Sequence, residues 1–64
     1  MNEELKTILE EMRNLSDKLA GIKNKHYAEL YSKNEMANYS EIQQSLNLTT
    51  ARTARFIEHL ESNG

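Results

Sequence analysis

Apolar side chains recur from the N-terminus as Leu5, Ile8, Met12, Leu15, Leu19 and Ile22, at spacings of 3, 4, 3, 4 and 3 residues. That alternation is the a/d seam of a heptad repeat, kept for about two and a half repeats, and it predicts an amphipathic first helix. Leu9 widens the stripe. Asn2 is a suitable N-cap, and Glu3 and Glu4 sit where the positive end of the helix dipole favours carboxylates. Gly21 interrupts the pattern at a cost of about 1 kcal/mol relative to Ala, which predicts a boundary or bend at 20–24. Beyond it, Ile22, Tyr27, Leu30 and Tyr31 keep near-helical spacing to about Lys33, and 32–38 then breaks the apolar periodicity.

Ser40 followed by Gln43 has the form of a capping box, in which each side chain satisfies an orphan backbone donor. A short helix is therefore expected over 41–46. Asn47 takes the left-handed conformation more readily than most residues, so it predicts a turn at 47–48, with Thr49 capping the next helix. Thr53, Phe56, Ile57 and Leu60 then share one face of a helix reaching about Glu61, and Ser62, Asn63 and Gly64 supply its stop.

The chain contains no Val and no Pro, and Gly only at 21 and 64, so the expected fold class is all-α: an N-terminal coiled-coil-like helix followed by a three-helix core. The division is 1–21 for the first helix and 22–64 for the core. At 64 residues the chain makes one domain at most, and eight Leu, four Ile and one Phe give it few strong apolar side chains. A chain of this size buries only about 60% of its unfolded surface, so a partner is expected. Homodimerisation through Leu5, Ile8, Leu9, Met12, Leu15, Leu19 and Ile22 meets that need. The flanking positions leave its direction open, since Glu4 and Glu11 face Leu9 and Ser16 rather than opposite charges.

Cys is absent, which removes disulfides and thiolate-based zinc sites. No apolar run approaches the roughly 20 residues of a membrane span. The reading is a cytoplasmic protein. The net charge of −2 is the wrong sign for nonspecific polyanion binding, but its distribution is uneven. Residues 1–11 carry Glu3, Glu4, Glu10 and Glu11 against Lys6, net −3, while residues 13–33 carry Arg13, Lys18, Lys23, Lys25 and Lys33 against Asp17 and Glu29, net +3. His26 and His59 lie far apart with no spaced carboxylates to complete a metal site. Adjacent carboxylates at Glu3–Glu4 and Glu10–Glu11 diverge by about 100° on a helix, so they do not form an acid/base pair. With no nucleophile–base arrangement and no phosphate loop, neither catalysis nor a cofactor or small-molecule ligand is expected.

Tyr39-Ser40-Glu41-Ile42, then Leu46-Asn47-Leu48-Thr49, then Arg55-Phe56-Ile57-Glu58-His59-Leu60 together have the sequence form of a helix-turn-helix. From Tyr27 to Gly64 the chain resembles the three-helix core of winged helix-turn-helix transcriptional regulators of bacteria and archaea, with the wing absent. Gln43 stands where that family favours a small Ala, and Thr53 where it usually buries Val or Ile. The resemblance implies a dimeric regulator that inserts helix 50–61 into the major groove of double-stranded DNA. On that geometry Arg55 meets a guanine edge or a phosphate, Arg52 flanks it, and Ala51 is small enough for the helix to enter. Tyr39, Ser40, Thr49 and Thr50 would hold phosphates, and Lys25 and Lys33 would add backbone contacts. The alternative function, favoured by the negative net charge, is a helical protein-interaction module that binds no nucleic acid.

Overall fold

The chain reverses direction at Asn34. In this computed structural model, which describes residues 2–63, α1 (Asn2–Lys25) leads through a slight irregularity at His26 into the short α2 (Tyr27–Ser32), and α3 (Met36–Asn63) returns antiparallel to α1. The Glu35 amide donates to the Leu30 carbonyl at 2.8 Å and the Asn34 amide to that of Tyr31 at 3.1 Å. This is the Schellman closure of a helix C-terminus, and Asn34 takes the left-handed position it requires, with φ 60°. Asn tolerates that region because its short polar side chain bonds locally. At the other end of α2 the ladder barely breaks: the His26 amide still donates to Ile22 and that of Leu30 to His26.

Both long helices turn the same kind of seam inward. In α1, the partly or fully covered residues include Asn2, Leu5, Leu9, Met12, Ser16, Leu19 and Lys23; in α3 they include Met36, Tyr39, Gln43, Leu46, Thr50, Thr53, Ile57 and Leu60. Each set alternates steps of three and four, the geometry of two helices packed as a coiled-coil hairpin. Among the described residues only Leu9, 8% exposed, and Ile57, 4% exposed, are buried. They lie towards the open end of the hairpin. Near the turn the seam becomes polar, with Gln43, Lys23 and the phenol of Tyr39, whose hydroxyl donates to the Leu19 carbonyl at 2.7 Å.

The all-α fold class expected from composition is what the chain adopts. The turn at 47–48 is not present: α3 runs unbroken from Met36 to Asn63, so the short helix over 41–46 and the helix over 50–61 are one element. Asn47 has other work, accepting a 2.6 Å hydrogen bond from the Ser16 hydroxyl of α1. Thr49 caps nothing. Its hydroxyl and those of Thr50 and Thr53 donate to the carbonyls of Ser45, Leu46 and Thr49, one turn earlier in the same helix. Ser40 likewise lies inside α3 rather than at its start. Asn and Thr are modest helix formers, by a few tenths of a kcal/mol each, and packing along α1 outweighs that. Gly64, assigned to the helix stop, lies outside the described residues.

Gly21 makes no boundary either; α1 passes through it to Lys25. Its φ is not positive, and a Cβ built there meets nothing within 4 Å. Gly21→Ala is therefore expected to stabilise the hairpin by about 1 kcal/mol, since the glycine only adds freedom to the unfolded chain. Thermal unfolding followed by circular dichroism checks this, with a rise of about 4–8 °C expected for a domain of this size.

Candidate interaction surface

Three contacts between the helices set the register. Lys6 Nζ reaches Glu61 Oε2 at 2.8 Å, Ser16 bonds Asn47, and Tyr39 bonds Leu19. Lys6 and Glu61 each follow the inward seam on the same flank, so that flank of α1 and that flank of α3 lie on one broad side of the hairpin. This side is polar or small throughout: Arg13, Ser16 and Asp17 of α1 and Asn47, Ala51 and Ala54 of α3 line a shallow groove along it. The hydrogen bond to Glu61, and then its charge, raises the Lys6 pKa above the usual lysine range. The bridge is half-exposed and contributes little. Its contribution is present at neutral pH and lost as pH rises through that raised pKa.

The opposite broad side has the other character. On α1 the residues that precede the seam on the far flank are Ile8, Leu15 and Ile22, seven apart; on α3 they are Ile42, Thr49 and Phe56, also seven apart. In an antiparallel pair these two flanks adjoin, and the register places Ile8 level with Phe56, Leu15 with Thr49, and Ile22 with Ile42. The five large apolar residues among them are 47–59% exposed. With two buried side chains among the described residues, the hairpin thus leaves a nearly continuous apolar strip on one side. Patches of that kind on small proteins mark interaction sites.

The residues expected at a dimer interface are divided by this geometry. Leu5, Leu9, Met12 and Leu19 are covered or partly covered by the hairpin itself, whereas Ile8, Leu15 and Ile22 stay open. The two groups are offset by about 60–100° around the helix: α3 docks on the stripe that Leu9 widens. Phe56, expected inside with Thr53, Ile57 and Leu60, points instead to the open side. A break at 47–48 would interrupt the seven-residue spacing of Ile42, Thr49 and Phe56, which is the signal in the sequence that sets Ile42 and Phe56 on one flank.

The residues expected to touch DNA do not converge. Arg52, Arg55 and Ala51 lie exposed on the middle of α3, while Lys25 ends α1 and Lys33 follows α2 at the turn. Lys33 is engaged with Glu29 at 3.0 Å. That lysine, by its hydrogen bond and charge, with a smaller effect of His26, holds the Glu29 carboxyl below the usual range. Tyr39 spends its hydroxyl on Leu19, and Thr49 and Thr50 spend theirs on their own helix. Among the described residues no group of three or more His, Cys, Asp or Glu is placed to hold a metal ion, and no helix is long and apolar enough to cross a membrane. Comparison of the chain with protein-family models, curated proteins and solved structures finds no match.

Proposed function

We propose that this chain is a helical protein-interaction module, which works by lending the Ile8–Leu15–Ile22 and Ile42–Phe56 side of its hairpin to another helical surface. The observation that supports it is the imbalance between two buried side chains and five large apolar ones held open on one side. Burying an aliphatic side chain is worth roughly 1.5–3 kcal/mol from full exposure, so covering these half-exposed groups adds several kcal/mol to a fold that has little of its own. A photo-crosslinking residue placed at Ile42 in living cells tests the reading. A discrete protein adduct is expected there, and none from the same probe at Asn47 on the polar side.

The second reading, a dimeric regulator gripping double-stranded DNA with residues 50–61 of α3, draws on Arg52 and Arg55, both exposed and neither ion-paired among the described residues. Glu41 and Glu58 face solvent on the same helix, and α3 has no separate segment that stands away from α1. Passage over heparin and DNA resins at low salt separates the two. The interaction module flows through; a DNA binder is retained, salt releases it, and Arg55→Ala weakens it by about 1–3 kcal/mol at one or two base pairs.

A further inference from the structure

The geometry points to a second copy of this chain as the occupant of the apolar side, docked face to face with its turn at the opposite end. This rests on the interaction-module reading and names the partner. The residues bordering the strip select this occupant. Outward of Ile8, Leu15 and Ile22 on α1 runs a row of charges at the same seven-residue spacing: Glu4, Glu11, Lys18 and Lys25. All four are exposed, and none is in an ion pair among the described residues. The row is acidic in its first half and basic in its second.

Two hairpins meeting face to face have two simple twofold arrangements. When the twofold axis runs along the hairpin, both turns lie at one end and each α1 packs beside the other copy's α3. Glu11 then comes level with Arg52, but Lys18 and Lys25 meet only Ser45 and Asn38. When the axis runs across the hairpin, α1 packs antiparallel to α1 about Leu15. Ile8 then meets Ile22, Leu15 meets itself, Ile42 meets Phe56, and Thr49 meets itself. Along the border, Glu4 comes level with Lys25 and Glu11 with Lys18, twice over by symmetry, so every charge in the row faces its opposite.

The second arrangement also sets no like charges together on the α3 border, where Asn38 meets His59 and Ser45 meets Arg52. Such self-complementarity is what an isologous interface requires. The hairpin extends 50 × 16 × 12 Å over its Cα atoms, so its broad side has room for the apolar strip and its charged border to meet a second copy. The net −3 of residues 1–11 and net +3 of residues 13–33 thereby acquire a physical use: they specify direction, which the apolar strip alone leaves unspecified.

Sedimentation equilibrium of the full chain, with charge-reversal variants, tests this. A dimer of the 7.4 kDa chain is expected. Glu11→Lys and Lys18→Glu, each on a solvent-facing position, should raise the dimer dissociation constant about tenfold apiece while leaving the helical circular dichroism intact. The double variant, E11K with K18E, should return to within about threefold of the original. A double variant no better than the weaker single one overturns the crossed arrangement, because turns at one end offer Lys18 no acidic partner. A chain that stays monomeric at the highest concentrations, yet yields photo-adducts with other proteins from Ile42, overturns the second copy and leaves the interaction module standing. Absence of any adduct from that position removes both.

Discussion

Ile57→Ala is expected to abolish most cooperative unfolding of the hairpin. Ile57 is the most deeply buried side chain of the described residues, and with Leu9 it makes up their buried core. Truncating a buried Ile to Ala typically costs 2–5 kcal/mol, from lost transfer energy and the cavity left behind. A domain of this length has a total stability of roughly 3–10 kcal/mol, so the loss consumes much of it. The helices do not survive such a loss separately, because isolated helices of this kind are marginal in water and depend on the packed face. Urea titration followed by far-ultraviolet circular dichroism measures the effect, with Leu48→Ala as the control. Leu48 is half-exposed on the outer side of α3, and its truncation should shift stability by no more than about 0.5 kcal/mol. Equal midpoints for the two variants would mean that the core does not lie where Ile57 places it.

Leu48→Pro is the second large effect, and it reports on the continuity of α3. In an unbroken helix a proline at this position removes the amide bond to the carbonyl four residues back and drives its ring against that turn, at a cost of about 3 kcal/mol or more. Were 47–48 a turn between two helices, the same substitution would fall outside regular helix and be tolerated. The expected result is a strongly destabilised protein with lower helical content. The side chain at 48 is exposed, so little packing is lost and the backbone dominates the measurement. Native-like stability in L48P would restore the helix-turn-helix.

How much of this was legible in the chain can be followed residue by residue. The helical class was, since a sequence without Val or Pro and with one internal Gly has neither the material for a sheet nor the breakers for loops. The first helix was, from its 3-4-3-4-3 spacing. The reversal was partly so: the loss of periodicity over 32–38 brackets Asn34, but nothing local distinguished Asn34 from Asn47 as the left-handed residue. Asn47 sits among Leu46, Thr50, Thr53 and Ile57, which keep step with α1, and the Ser16 hydroxyl bonds its side chain. Asn34 has no such partner across the hairpin among the described residues and closes the C-terminus of α2 instead. The surface was legible least. Seven-residue repeats at Ile8–Leu15–Ile22 and Ile42–Thr49–Phe56 are plain once aligned, but their meeting on one side depends on antiparallel pairing of two segments distant in sequence.

By itself, then, the amino-acid order determined that this chain is helical, that its first helix is amphipathic, and that it has too little apolar material to be well covered alone. Those are properties of local propensity and of totals, and they need no knowledge of what meets what. Tertiary structure decided which of two overlapping stripes on α1 is used inside the chain. Leu5, Met12 and Leu19 fit either stripe; α3 took the one containing Leu9, because that choice packs Leu9 and Ile57 out of water and brings Lys6 to Glu61. The other stripe, with Ile8, Leu15 and Ile22, was left facing outward beside Ile42 and Phe56 as a consequence of that packing.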